Sequence, residues 1–255
     1  MLSRKSILVA AIVLIAAVAI YNSDTMRDAR IIKGLVAQNI EARGGAESWA
    51  AIESLQLSGQ MDLGQGLYVP YVMEQKRPGK MCLDFEFNEE TATQCVDGDT
   101  GWKRLPFRGR NRPEAMTAAE LRQMAGAADI DGLLFDYKER GHEIELVGKA
   151  MIGDRATTKL QVTLPGGAVR WLYIEDETGL DIKLETMRVL GGKERLVSTY
   201  YLDWQETDGL LIPRRQETQT EGDEETYFLT VENVRINAPL DDSRFAMPST
   251  VAGTS

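Results

Sequence analysis

The chain has 255 residues, 43% of them hydrophobic, and carries 29 Lys and Arg against 39 Asp and Glu, for a formal net charge of −10 with a single histidine. That length and composition suit one large domain or two small ones with an ordinary buried core. The acidic balance excludes a nucleic-acid backbone as the main partner, because phosphate binding along a polymer needs Lys and Arg clustered on one surface; the one basic cluster in sequence, Arg104 to Glu114 ("RLPFRGRNRPE"), reads as a solvated loop.

At the N-terminus, Arg4 and Lys5 precede an unbroken apolar run, Ile7 to Tyr21, the pattern of an export signal. Its 15 residues are long for a signal peptide and short of the roughly 20 that a membrane span needs. Ala17 and Ala19 supply an A-x-A cleavage pattern, and no Cys follows to carry a lipid. Cleavage would yield a soluble periplasmic protein; retention would leave residues 7–21 as an inner-membrane tether with Arg4 and Lys5 in the cytoplasm. Residues 1–25 are therefore read as an export signal or anchor, and the rest as extracytoplasmic.

From Met26 to Arg43 the residues Ile31, Ile32, Leu35, Val36 and Ile40 repeat with helical spacing, and Gly44-Gly45 ends the helix. "AESWAAI", Ala46 to Ile52, reads as a further short helix anchored by Trp49. The period then changes to two: Leu55, Leu57, Met61 and Leu63 alternate with polar partners, as do Leu67, Val69, Tyr71 and Met73 after the "GQG" turn. A hairpin about Phe87 to Glu90 sets Cys82 opposite Cys95, at a spacing that a disulfide permits. In an exported protein this pair reads as a disulfide on the outer face, with two separate buried thiols as the alternative.

Thr117 and Glu120 fit an S/T-x-x-E capping box ahead of Leu121 and Met124, and "GLLFDYKERG" packs Leu133, Leu134 and Phe135 into one short segment, giving a second helical element over 117–140. After His142 alternation resumes in long strands, with turn signals at "IGDR", "LPGGA", "DETG", "LGGK" and "TDG". Lys159, Gln161, Lys183 and Glu185 fall on the wet side. The dry side is read as Met73, Leu83, Phe85, Trp102, Leu160, Val162, Ile182, Leu184, Tyr200, Leu202 and Trp204. Pro213 lacks a ladder donor and is placed at a strand start or an edge. With no linker or repeat, residues 26–248 form a single domain and 249–255 a flexible tail. The fold class is mainly β with helices (α+β): an antiparallel sheet with one apolar face, curling around the two helical elements that hide that face.

Catalytic chemistry is not assembled. His142, in "RGHEIEL", reads as a surface residue, and one His with two paired Cys makes neither a Cys/His zinc site nor a Ser-His-Asp triad. Nucleotide-binding and nucleophile-elbow motifs are missing. No cofactor, metal or enzymatic activity is expected.

Taken together and in order, "IEARGGAESWAAIESLQLSG", "VDGDTGWKRLP", "ADIDGLLFDYKERGHEIELVGK", "YIEDETGLDIK", "YYLDWQETDGLLIPRRQE" and "VENVRINAPLDDSRFAMP" resemble the outer-membrane lipoprotein-sorting proteins of the LolA/LolB-like superfamily, over about Gly34 to Pro248. The resemblance implies a strongly curved, unclosed half-barrel of about eleven antiparallel strands. Helices would form a lid over a hydrophobic cavity, with Leu121, Met124, Leu133, Leu134 and Phe135 in the lid and the dry-side residues named above, Met73 to Trp204, as the ligand-binding wall. It also implies a periplasmic carrier or chaperone for lipid or lipoprotein acyl chains, loaded by an inner-membrane transporter or unloaded to an outer-membrane acceptor. The alternative is a membrane-tethered, non-catalytic lipid-sensing or partner-docking domain of an envelope complex.

Overall fold

The computed structural model describes residues 25–124 and 126–248. The export segment read at residues 1–25 lies, but for Thr25, outside the described residues, as does the tail 249–255. Among the described residues no helix is long and apolar enough to cross a membrane.

Helix α1 spans 25–42 and buries Ile32, Val36 and Asn39; steps of three and four residues put them on one stripe. Gly44 (φ 118°) turns the chain out of the helix, and a Cβ there would lie 2.3 Å from the Gly209 carbonyl oxygen, so the close approach requires glycine. Helix α2, Ala46–Ala50, sinks Trp49 into the core, where its Nε1 donates to the Arg43 carbonyl oxygen at 3.0 Å.

Six strands follow: β1 (Ser54–Asp62), β2 (Tyr68–Lys76), β3 (Lys80–Phe87), β4 (Glu90–Asp97), β5 (Thr100–Leu105) and β6 (Arg110–Ala115). Helix α3 (Ala118–Met124) leads to the other seven: β7 (Glu143–Ile152), β8 (Arg155–Thr163), β9 (Val169–Glu175), β10 (Asp181–Leu190), β11 (Lys193–Thr207), β12 (Leu210–Thr220) and β13 (Thr226–Ile236). The capping box forms as read. The Thr117 N–H donates to Glu120 Oε2 at 2.9 Å, and the Glu120 N–H donates to Thr117 Oγ1 at 3.3 Å. The helical reading does not extend to 140, however, since the Gly132–Gly141 stretch is a series of turns.

All thirteen strands make one antiparallel sheet, in the order β6-β5-β4-β3-β2-β1-β13-β12-β11-β10-β9-β8-β7. Each half is a meander, and the halves meet where β13 pairs with β1, Leu55 opposite Ile236. The expected strongly curved half-barrel of eleven strands is corrected here: the sheet has thirteen strands and is neither closed nor strongly curled. Its apolar face is hidden by covering segments, so closure is not needed to keep it dry. The edges are blunted instead, β6 by Arg110, Arg112 and Pro113, and β7 by an irregularity between Leu146 and Gly148 followed by Lys149. "RLPFRGRNRPE" is thus a 3-10 turn, Pro106–Arg108, and an edge strand rather than a free loop.

Cys82 and Cys95 are in register and bonded, with Cα atoms 4.1 Å apart. They are not an external staple. Both are fully buried with Trp102 beneath Phe245, because the chain after β13 crosses this side of the sheet. Arg244 fixes the crossing, its Nε donating to Glu74 at 2.7 Å and its Nη2 to Asp84 at 2.5 Å.

Candidate functional site

Residues opposite one another in an antiparallel ladder point to the same face. From β7 to β10, Leu160, Val162, Leu172 and Ile174 lie buried under Ile32 and Val36 of α1 and under Leu134, with Leu133 and Leu184 alongside. In the middle, Leu55, Leu210 and Ile212 meet Trp49, Ile52, Ile130 and Phe135. Toward β6, Val69, Tyr71 and Phe85 pack with Met73 and Leu83. Met81 and Val96 are covered by Met116 and Ala128, with Leu121 and Met124 of α3 beside them. Over the first, second and fourth of these clusters the covers are segments outside the sheet, and over the third Phe107 of the Pro106–Arg108 turn packs alongside.

All five lid residues read from the sequence, Leu121, Met124, Leu133, Leu134 and Phe135, pack within these clusters. Of the wall residues, Met73, Leu83, Phe85, Leu160, Val162 and Leu184 are there, and Ile182 shares the face of Leu184 by alternation and is buried. Trp102 belongs to the opposite face with the disulfide. Tyr200 is opposite Lys183 on that same outer side, and Leu202 follows it by alternation. The reading of β11 was therefore one residue out of phase. Val197, Thr199 and Tyr201 are the residues that face the helices, an alternation that their modest hydrophobicity concealed. Asp203 (φ 54°) then disturbs the strand, and the Trp204 ring comes to 6.4 Å from that of Tyr201. Pro213 sits inside β12, not at an edge, and is tolerated because β13 pairs only with Arg215 to Gln219.

Polar latches hold the covers down. Arg77 donates to the carbonyl oxygens of Trp49 and Ala50 and pairs with Asp131, tying α2 to the 129–137 segment. Arg140 pairs with Asp129 at 2.6 Å. His142 is buried rather than on the surface, with Nδ1 at 3.0 Å from the Leu133 carbonyl oxygen. Lys103 pairs with Glu120 on α3; that hydrogen bond, and then the Thr117 N–H, hold the Glu120 carboxyl down to about 2.

At the end of α1, Asn39 donates to the Gly179 carbonyl oxygen and to Asp181 Oδ1, both at 2.8 Å, and Arg43 stacks 4.2 Å over Trp49. Burial pushes the Asp181 carboxyl up, against the opposing pull of Arg43 and Asn39. Tyr201 lies in the same field, its hydroxyl pushed up to about 12 by burial first and by Asp181 next.

Thr199, Tyr201, Gln216 and Thr218 make a half-buried polar strip between the apolar ends of this face. Elsewhere, a concavity of about 530 Å³ is lined by Gln56, Ser58, Arg214, Glu232 and Asn233 among others, a wall better suited to water than to hydrocarbon. Among the described residues no group of three or more His, Cys, Asp and Glu could hold a metal ion.

No family model and no curated protein sequence matches the chain. Solved structures do match. A DUF1329 family protein from Desulfovibrio piger aligns with TM-score 0.59 at 12% identity, over 84% of this chain and 97% of that one. A LolA superfamily protein from Nitrosomonas europaea aligns with TM-score 0.57 at 14% identity, over 84% and 96%. An outer membrane lipoprotein-sorting protein domain from Vibrio parahaemolyticus aligns with TM-score 0.51 at 10% identity, over 78% and 94%. The chain therefore has the LolA-like fold, and the resemblance read in its sequence extends to its structure.

Proposed function

We propose that this chain is a non-catalytic periplasmic carrier or chaperone that shields the acyl chains of a lipid or lipoprotein on the helix-covered face of its sheet, on the way to the outer membrane. The observation that carries the reading is that the sheet's apolar face is covered by segments outside the sheet and latched by a few ion pairs, Arg77 with Asp131 and Lys103 with Glu120 among them. The fold it shares with LolA-superfamily and lipoprotein-sorting structures supports it. Acyl chains would take the place of Leu133, Leu134 and Phe135 against the wall residues Leu160, Val162, Ile182 and Leu184 and, at the other end, Met73, Leu83 and Phe85. The driving force is transfer of apolar surface from water, about 25 cal/mol per Å² before ordering costs. Since the cover must move first, loading is coupled to lid displacement and release to a receiving protein.

Lipid extraction of gently purified protein tests the reading directly. Co-purifying lipid, or uptake of a fluorescent acyl probe, supports it; an interior that takes up neither rejects it.

A second reading, a tethered lipid-sensing or docking domain, is favoured by one observation: the apolar face is filled by the chain's own side chains. N-terminal sequencing separates the two. A start near Ile20 supports the shuttle, and an intact Arg4-Lys5 end supports the tethered domain.

A further inference from the structure

Far apart in sequence, Arg170 and Arg188 come together on the helix-covered face, with Arg195 on the same face but its guanidinium turned to the chain after β12. Arg188 is directly opposite Arg195 across β10 and β11. Arg170 on β9 is opposite Thr186, one alternation step along β10 from Arg188. All three are half-buried. Among the described residues none has a carboxylate within ion-pair distance, although the chain as a whole carries a net charge of −10.

Their remaining contacts leave the guanidinium groups largely unspent. Arg170 Nη1 donates to Thr186 Oγ1 at 2.5 Å, and Arg195 Nη1 to the Glu221 carbonyl oxygen at 3.4 Å. The backbone after α3 passes Arg170, since a Cβ on Gly126 would lie 3.7 Å from its Nη2. The Tyr201 hydroxyl shares this field, where Arg43, Arg170 and Arg188 favour negative charge against burial and Asp181, which outweigh them. Burial lowers the pKa of Arg170 and Arg188, and for Arg170 the charge of Arg188 adds to it. Like charges close together on one face repel, as Arg188 does Arg170, and half-burial strengthens the repulsion. A fold that gathers them without a carboxylate has left room for a counter-ion from outside.

We infer that Arg170 and Arg188, with the Tyr201 hydroxyl, form a binding site for a phosphate group. Guanidinium forks match tetrahedral oxyanions bidentately, and two of them side by side suit a group with several charged oxygens. Val162, opposite Arg170, belongs to the apolar wall under α1. The phosphate would therefore sit beside the β7–β10 part of the acyl-binding face, where it borders the polar strip, as the polar head of a bound lipid. This source of the phosphate rests on the carrier reading above; the site itself does not.

The test uses the full mature chain, its R170Q, R188Q and R195Q variants, and R112Q as a charge-matched control on the exposed edge strand. Binding is measured to inorganic phosphate, and to phosphatidic acid and diacylglycerol of identical acyl chains presented in neutral detergent micelles. We expect phosphatidic acid to bind at least tenfold more tightly than diacylglycerol, and R188Q to abolish the difference while R112Q keeps it. Arginine-dependent binding of inorganic phosphate alone makes the source a free phosphate and still supports the site. Phosphate bound without diacylglycerol uptake sinks the acyl carrier and leaves the site standing. Equal binding of the two lipids with no arginine-dependent phosphate binding overturns the site, even if diacylglycerol uptake upholds the carrier. Unfolding midpoints of all four variants accompany the titrations. A rise in R188Q without any phosphate response in the wild type identifies simple charge repulsion and likewise overturns the proposal.

Discussion

The ammonium of Lys183 stands 5.1 Å from the centre of the Tyr200 ring, directly across the ladder between β10 and β11. This contact fixes the phase of β11. Tyr200 belongs to the outer side, and its neighbour Tyr201 faces the covering helices. Tyr201→Ala should therefore reduce acyl-probe uptake several-fold, while Tyr200→Ala leaves uptake unchanged and costs about 0.5–1 kcal/mol of stability from the lost cation–π contact. Fluorescence titration of both variants decides, and equal effects would place the acyl chains elsewhere.

Removing the latch should loosen the cover. Arg77→Ala deletes the donor to the Trp49 and Ala50 carbonyl oxygens and the partner of Asp131. Hydrogen exchange at residues 127–137 should accelerate at least tenfold, with strands β8 and β9 unaffected, and probe uptake should become faster. Unchanged exchange in that segment would mean that packing alone holds it.

Acid should loosen α3 through Glu120. Its folded pKa, about 2, is below the ordinary 4.5, so the unfolded chain takes up the proton first as pH falls. The stabilisation is complete above pH 4.5 and is lost as pH drops toward 2. In urea titrations over that window, Glu120→Gln should flatten part of the decline seen in the wild type. Parallel curves for the two proteins would assign the acid sensitivity to other groups.

The buried disulfide closes a loop of sequence separation 13. Replacing both cysteines by alanine should cost about 3 kcal/mol in equilibrium unfolding, by the loop-entropy relation. Mass spectrometry of the unreduced wild type should find no free thiol.

Leu160 has no exposed surface and lies between β8 and α1. Leu160→Ala should cost about 2–5 kcal/mol, since the rigid sheet below cannot collapse into the space. An acyl probe that fills the vacancy should recover part of that loss in a thermal-shift assay.

The sequence was most legible where a local rule acts alone. The 3.6-residue stripe of Ile32 and Val36, the Thr117–Glu120 capping box, the Asp208-Gly209 turn and the pairing of Cys82 with Cys95 are each decided within a dozen or so residues, and each formed. Legibility failed where long-range packing decides. In β11 the bulky Tyr200 and Leu202 face outward over Lys183 and its neighbours, while Val197 and Thr199 take the inner side with Tyr201. A period-two reading that assigns bulk to the core takes the wrong phase there. Trp102 is read on the wrong face, and the disulfide on the right face but without its cover, for a related reason: the segment that covers that face, ending in Phe245, comes from nearly 150 residues further along the chain. The arginine cluster left no signal in sequence, because only the register of β9, β10 and β11 assembles it.

The seam between β1 and β13 bears on how the molecule is made. The first strand to leave the ribosome must wait for the last, since Leu55 finds its partner only when Ile236 has been synthesised. Until then β1 has β2 on one side and an open edge on the other, and the C-terminal crossing over the disulfide cannot form. Pairings of such high contact order form late and slowly. The continuous sheet is completed in a single terminal event, which favours a nascent chain that stays incompletely folded until its end is free.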